Sequence, residues 1–247
     1  MNAMKKLIGI LYDKDKVRKT YNKIRFPELP DALSVINGDG CFNPQTGNYD
    51  KQLRLKERLP EIYWRMDDND YLKVSYWIIR KWGDISSFRE ANNDRKLIEF
   101  REWLGCCETM CDMPKGYFSR ISSLSKVASF LYPDRCAIYD SRAAYSFNWL
   151  FFKSGGNKFF PQPKGRNNKI NKEDQIKIFD DCLKSYTWYD RIEVYGEYCK
   201  LLRILTERLN REVLSDAFRL YDVEMFLFAI ATEIAKSVGL ELLNLSD

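Results

Sequence analysis

Two apolar stripes in the last quarter of the chain constrain the fold more than any other feature. The stripes consist of Tyr198, Leu201, Leu202, Leu205 and Leu209, and of Val223, Phe226, Leu227, Ile230 and Ile234. A repeat of three to four residues places each stripe on one face of an α-helix that packs against a core. Similar spacing recurs over 71–82 and 97–104. We therefore expect a mostly α-helical fold.

A different pattern near the N-terminus predicts a minor strand element. The segment 26–45 contains Pro27, Pro30 and the turn sequence Asn37-Gly38-Asp39-Gly40, and these residue types favour turns over regular structure. The apolar segment 33–36 lies just before that turn and is compatible with a short strand. The expected fold is thus helical, with one minor strand element near the N-terminus.

Composition excludes several classes of chemistry. The chain has 247 residues and a net charge of +5, which is compatible with a polyanionic partner. It contains no histidine, so a histidine general base and a Ser-His or Cys-His nucleophile are excluded. No apolar run approaches the length of a membrane span, and residues 1–12 lack the features of a signal peptide. We therefore expect a cytoplasmic protein without a membrane partner.

Cysteine usage indicates reduced thiols. The seven cysteines are irregularly spaced, and Cys106, Cys107 and Cys111 form the one cluster in the sequence. We interpret these three as small buried residues rather than as metal ligands. No metal or other cofactor is therefore expected.

The fifteen-residue run KVASFLYPDRCAIYD, from Lys126 to Asp140, carries the pattern with the clearest chemical meaning. An apolar helix is predicted over 126–132 and ends at Pro133, and Asp140 or Ser141 is placed to cap a further helix over 142–152. This order resembles the centre of the helix-hairpin-helix DNA glycosylases, where a K-(V/T)-A helix leads to the start of an (I/V)-x-D-x-x-(V/A) helix. The resemblance covers roughly residues 118–150.

The resemblance implies a two-lobed helical fold and a domain arrangement. Residues 1–247 would form a single catalytic domain. Its parts would be a hairpin-bearing lobe at 50–152, a second lobe formed by 1–49 with 173–247, and a basic loop at 153–172. DNA would enter the cleft between the two lobes.

The resemblance identifies Asp140 and Lys126 as catalytic. Cleavage of an N-glycosidic bond builds positive charge on the sugar, and a fixed carboxylate such as Asp140 stabilises that charge and orients a water. A plain helix N-cap is the alternative interpretation of Asp140. Lys126 matches the lysine that forms a Schiff base in bifunctional members of the family. A phosphate or pocket contact and a solvated lysine on a helix are its alternatives.

The hairpin of the family corresponds to residues 120–125, where serines stand in place of the glycines and the proline of the usual L-P-G-(I/V)-G pattern. Serine hydroxyls and arginine or lysine side chains are common phosphate ligands. The candidate DNA ligands are Ser122, Ser123, Ser125, Arg135, Arg142, Lys164 and Arg166. Ser125 is also the expected N-cap of the helix that follows.

Two further segments are candidate contacts to DNA. The basic segment 153–172 either tracks the DNA backbone, with Phe159 or Phe160 wedged into the base stack, or forms a solvated loop. The turn at 37–43 is a candidate base pocket, in which Phe42 stacks on an extruded base and Asn37 or Asn43 binds its polar edge. A turn stabilised by its own Asn and Asp side chains is the alternative.

These expectations combine into a DNA glycosylase that flips and excises a base from double-stranded DNA and leaves an abasic site. By analogy with antiviral members of the family, the substrate is phage genomic DNA with modified bases such as glucosylated hydroxymethylcytosine. No obligate protein partner is expected, and lyase activity stays open. One alternative is a non-catalytic DNA-binding helix-hairpin-helix module. The other is a metal-dependent nuclease built on Glu193, Glu197 and Lys200, although their spacing favours a surface ion pair.

Overall fold

A computed structural model describes residues 13–37, 42, 45–89, 93–106, 113–165, 170–212 and 218–245. Ten α-helices in these ranges confirm the mostly α-helical fold. The helices are α1 (Lys14–Asn22), α2 (Ser34–Asn37), α3 (Asn48–Tyr63), α4 (Asp68–Trp77), α5 (Asp94–Cys106), α6 (Ile121–Leu131), α7 (Ser141–Lys153), α8 (Lys172–Cys182), α9 (Val194–Glu212) and α10 (Leu220–Leu245). Shorter elements are 3₁₀ helices at Asp31–Leu33 and Tyr117–Arg120, a π-helix at Ile78–Trp82, and the strands β1 (Lys158–Phe159) and β2 (Thr187–Trp188).

The helices form two groups that α1 joins. In the first group, α6 packs against α3, α5 and the π-helix; in the second, α10 packs along α7 and also contacts α8 and α9. Helix α1 contacts both α3 and α10. The chain passes from the first group to the second through residues 132–140, whereas the lobes implied by the resemblance divide at residue 152.

The strand expected at 33–36 is wrong. Leu33 ends a 3₁₀ helix, and the residues after it form α2. Leu33 and Ile36 are buried, whereas Val35 is 66% exposed. Buried positions three residues apart fit a helix and not a strand, in which alternate side chains share a face.

The strand element lies instead inside the basic segment 153–172, where β1 pairs in parallel with β2. Phe159 and Phe160 in this segment are fully buried, and the Phe159 ring stacks on Phe179 with centroids 4.1 Å apart. Aromatic rings bury a large apolar area, so both rings belong to the core. The prediction that one of them wedges into a DNA base stack is therefore wrong.

The serine hairpin expected at 120–125 is also wrong. The 3₁₀ helix at Tyr117–Arg120 leads directly into α6, which is unbroken across the serines. Ser125 is consequently no N-cap but a fully buried residue inside the helix. An apolar stripe at helical spacing crosses this region, and it consists of Ile121, Leu124, Ala128 and Leu131. Burial of that stripe outweighs the weak preference of serine for turns.

Candidate active-site cleft

A cleft of about 1300 Å³ opens between the two helix groups. Its walls come from α1, α3, the π-helix, α6, the start of α7, α10 and the segment 162–165. Lys126 and Asp140 both line it, and their side chains are 8% and 17% exposed. The two residues that the sequence identified as catalytic therefore share one cavity, which is large enough to admit a ligand.

Asp140 is the N-cap of α7, as its position before a helical pattern predicted. One carboxylate oxygen, Oδ1, accepts hydrogen bonds from the backbone N–H groups of Arg142 and Ala143 at 3.0 and 2.9 Å. The other oxygen, Oδ2, lies 3.9 Å from Lys126 Nζ. The helix N-terminus thus fixes the carboxylate, while its second oxygen lies beside a cation.

Lys126 is a buried residue of α6. Its ammonium group donates a hydrogen bond to the carbonyl of Ser122 at 2.9 Å and lies within ion-pair distance of Asp140. The interpretation of Lys126 as a solvated surface lysine is therefore wrong. A nucleophilic role and a role as a ligand contact both fit this position.

A second buried pair also reaches the cleft through Glu224, and sequence reasoning missed it. Lys56 Nζ and Glu224 Oε2 are 3.7 Å apart, and both side chains are only 3% exposed. Lys56 also donates to Ser129 Oγ at 2.8 Å. Burial lowers the pKa of the Lys56 ammonium and raises the pKa of the Glu224 carboxyl, because water stabilises the charged form of each group. The sequence signal that could have revealed this pair is a charged residue at a position where the helical spacing predicts a buried apolar one.

Glu224 and Asp140 also affect Tyr21, whose side chain lines the cleft from α1. Burial raises the pKa of the Tyr21 hydroxyl well above its usual value, and the two nearby carboxylates raise it further. Tyr21 is therefore a neutral hydroxyl at physiological pH. It contributes an aromatic surface together with Phe228, whose ring centroid is 5.7 Å from that of Tyr21.

The charges around the cleft are mainly positive. The basic lining residues are Arg120, Lys126, Arg142, Lys164, Lys172 and Arg191, and the acidic ones are Asp84, Asp140 and Glu224. Two of the guanidinium groups lie over aromatic rings of the wall, Arg142 at 4.5 Å from Phe228 and Arg191 at 5.4 Å from Phe118. Stacked arginines of this kind suit phosphate and nucleobase contacts. Arg120 and Arg191 were not among the DNA ligands predicted from the sequence, whereas Lys172 is the last residue of the basic segment 153–172 that was predicted to track the DNA backbone.

Some of the predicted DNA ligands line the cleft, and others do not. Arg142, Lys164, Ser122 and Ser123 line the cleft. Ser125 does not, because its hydroxyl is buried against the backbone of Tyr139.

Arg135 also lies away from the cleft lining. Its guanidinium stacks over the Tyr132 ring at 3.9 Å and donates to the carbonyl of Leu104 at 2.6 Å. A side chain held in this way supports the packing of α5 against the segment after α6. We therefore withdraw Arg135 as a phosphate ligand, and Arg166 lies outside the described residues.

The predicted base pocket at 37–43 is not part of the cleft lining among the described residues. The Phe42 ring packs against Phe26 with centroids 5.5 Å apart. Asn43 and the side chain of Asn37 lie outside the described part of the chain. The aromatic walls that the structure does provide are Tyr21, Trp82, Phe118 and Phe228.

In the described ranges no three His, Cys, Asp or Glu side chains are grouped in a way that suits a metal ion. Glu197 and Lys200 form an exposed ion pair at 3.1 Å, which confirms the surface interpretation of that helix face. Cys106 is exposed, so its assignment as a buried residue is wrong, and Cys107 and Cys111 lie outside the described residues. None of the described helices combines the length and the apolar character of a membrane span.

No family model, curated protein or solved structure matches this chain. The similarity to helix-hairpin-helix DNA glycosylases therefore rests on the motif around Lys126 and Asp140, and it stays a prediction.

Proposed function

We propose that the protein is a DNA N-glycosylase that excises a modified base from double-stranded DNA in the cytoplasm. The observation that carries the proposal is the placement of Asp140 Oδ2 at 3.9 Å from Lys126 Nζ in the wall of a cleft. A carboxylate fixed by a helix N-terminus suits the stabilisation of positive charge on a sugar. Lys126 gives the same site a positive charge when it is protonated and a nucleophilic amine when it is deprotonated.

The proposed step is hydrolysis of the bond between C1′ of the sugar and a nitrogen of the base. The bond breaks with its electron pair leaving on the base, which takes a proton from solvent. Asp140 stabilises the cationic sugar and then accepts a proton from the water whose oxygen bonds to C1′. In the alternative bifunctional form, the Lys126 ammonium first gives a proton to Asp140, and its neutral amine attacks C1′ as the base leaves with the electron pair of the broken bond and takes a second amine proton. The C1′–O4′ bond then breaks, O4′ takes the proton held by Asp140, and the lysine nitrogen and C1′ form a protonated Schiff base.

The surroundings of the pair support a nucleic-acid substrate. The cleft has twice as many basic as acidic lining residues, which favours binding of a phosphate backbone. Its aromatic walls offer surfaces on which a flipped base stacks. At about 1300 Å³ it has room for a base enlarged by a substituent, such as glucosylated hydroxymethylcytosine in phage DNA.

The experiment that tests the proposal compares DNA with normal and with modified bases. The protein is incubated with each DNA, and alkali-labile sites and covalent complexes trapped by borohydride are counted. We expect alkali-labile sites on modified DNA that persist with chelator present. Trapping that is lost in Lys126→Met would identify the lysine as the nucleophile, and labile sites without trapping would identify water. Absence of labile sites on every DNA would refute the proposal.

A non-catalytic DNA-binding module is the second candidate, and the basic rim of the cleft is the observation in its favour. Such a protein would bind DNA as tightly with Asn at position 140 as with Asp, and neither form would release a base. A metal-dependent nuclease would instead show strand cleavage that a chelator abolishes.

A further inference from the structure

Residues 137–139 form a connector that leads directly to Asp140. It belongs to no helix or sheet of the structure, yet it is buried. Buried backbone groups outside regular structure need other hydrogen-bond partners. The connector therefore depends on side chains of the helices that surround it.

Three buried side chains bind the N–H groups of the connector. Its first N–H donates to Cys199 Sγ at 3.4 Å, its second to Glu224 Oε2 at 3.0 Å and its third to Ser125 Oγ at 3.0 Å. The carbonyls of its first two residues accept from the hydroxyls of Tyr195 and Tyr198 at 3.1 and 3.2 Å. Side chains of α6, α9 and α10 thus fix the backbone up to the residue before Asp140.

Of the three side chains that accept these N–H groups, Glu224 is the one that carries a carboxyl group, and buried carboxyl groups are unusual. A buried ion pair is seldom needed for stability, because apolar residues of similar volume commonly replace it without loss. Lys56 and Glu224 nevertheless form such a pair, and Glu224 binds the N–H of Ile138, two residues before Asp140. The pair therefore connects a buried charge to the backbone that carries the proposed catalytic carboxylate.

We propose that Lys56 and Glu224 are a positioning pair for Asp140. Glu224 holds the connector through Ile138, and Lys56 holds the Glu224 carboxylate in place. The inference rests on the proposed function, because positioning has meaning only if Asp140 acts on a substrate. A hydrogen bond from N–H to a carboxylate is stronger than one to a neutral acceptor. The charge of Glu224 therefore holds the backbone of Ile138 more firmly than a neutral side chain would.

Electrostatic contact also reaches from Glu224 to the catalytic pair. The titratable groups that face Glu224 are Tyr21 from α1, Lys56 from α3, Lys126 from α6, Tyr198 from α9, and Asp140. Lys56 and Lys126 favour the ionised carboxylate, whereas the like charge of Asp140 disfavours it. We therefore expect substitutions at Asp140 or Lys126 to change the pKa of Glu224.

The first test measures this coupling without any substrate. Glutamate labelled with ¹³C at the carboxyl carbon reports the titration of Glu224 by NMR, with Glu224→Gln to assign the signal. We expect Asp140→Asn to lower the pKa of Glu224 and Lys126→Met to raise it. Glu233→Gln, on the exposed side of α10, is the matched control and leaves it unchanged. A Glu224 titration that is the same in all these proteins would overturn the inference.

The second test measures catalysis in a protein that still folds. Because loss of either partner leaves the other charge buried and unpaired, the double variant Lys56→Met/Glu224→Leu is the form to assay. We expect it to retain DNA binding and to release base, at saturating DNA, on the order of 10²-fold more slowly, as a misplaced catalytic group does. Base release at the wild-type rate by the folded double variant would contradict a positioning role.

The two tests separate the inference from the proposed function. If the wild-type protein releases no base from any DNA, the proposed function fails, and the NMR titration still decides whether the four charges are coupled. If the wild-type protein is active and the titration shows no coupling, only the positioning role fails.

Discussion

Gly83 lies against the aliphatic chain of Lys126, so closely that a Cβ atom at position 83 would be 2.6 Å from Lys126 Cδ and 2.9 Å from Lys126 Cε. The backbone of Gly83 has φ of −85°, a conformation that any residue adopts. Glycine is therefore required at position 83 because a side chain would clash with its neighbours, and not because of the backbone conformation. The end of the π-helix and the side chain of Lys126 fit together, and this contact confines the ammonium group near Asp140.

Gly83→Ala should move Lys126 away from its present position. The new methyl group also meets the carbonyl oxygen of Ile79 at 2.9 Å, so we expect a loss of about 1–3 kcal/mol in the free energy of unfolding together with slower base release. Urea unfolding and the assay for alkali-labile sites measure the two effects. Gly239→Ala is the control, because nothing lies within 4 Å of that position and the change stabilises a helix by about 0.5–1 kcal/mol. Wild-type activity in Gly83→Ala would contradict the proposed role of this contact.

Removal of one member of the Lys56–Glu224 pair should be more harmful than removal of both. Lys56→Met and Glu224→Leu each leave an uncompensated buried group, for which we expect a loss of about 3–5 kcal/mol in the free energy of unfolding. The double variant should lose clearly less than the sum of the two. A double-mutant cycle by urea unfolding measures the difference, and additive losses would show that the two side chains do not interact.

The buried Glu224 carboxyl should leave a signature in the pH dependence of stability. Burial raises its pKa in the folded protein above the usual value of 4.5. The stabilisation from proton binding is fully present below the pKa of the unfolded chain and is lost as the pH rises through the pKa of the folded protein. As the pH increases from 4.5, wild type should therefore lose stability relative to Glu224→Gln. The measured quantity is the free energy of unfolding of the variant minus that of wild type, and we expect it to rise. A difference that stays constant with pH would exclude a raised pKa.

The basic rim predicts a specific effect of salt. If Arg191 contacts a phosphate, Arg191→Ala should weaken binding to all DNA sequences and reduce the slope of log affinity against log salt by about one. Arg95 is the matched control, because its side chain is 91% exposed and pairs with Glu99 on α5 rather than lining the cleft. Equal salt slopes for Arg191→Ala and Arg95→Ala would show that DNA does not bind along this rim.

Features of the structure that depend on residues close together in the sequence could be predicted. The apolar stripes of α9 and α10 were sufficient to predict helices, because burial on one face follows directly from spacing. The cap at Asp140 was predictable for the same reason, since an N-cap bonds only to N–H groups a few residues away. The turn preference of serine misled the prediction at Ser122, because the packing of α6 outweighs so weak a signal.

Long-range contacts could not be predicted in the same way. Lys56 and Glu224 lie on helices far apart in the sequence, and only the fold brings their side chains to 3.7 Å. The burial of Phe159 depends likewise on Phe179, which the intervening loop and helix bring against it. Periodicity identifies which face of a helix is buried, but it contains no information about which distant helix covers that face.

If Asp140 takes part in base release and is more than a helix cap, the variant Asp140→Asn separates the two roles. Asparagine is as good an N-cap as aspartate, so the folded structure and DNA binding should persist. Asp67→Asn is the matched control, because Asp67 caps α4 in the same way, with its carboxylate accepting from Asp70 N–H, and does not line the cleft. We predict that base release from modified DNA is lost in Asp140→Asn and retained in Asp67→Asn, while both variants still bind DNA. Equal rates of base release in the two variants would show that Asp140 acts only as a helix cap.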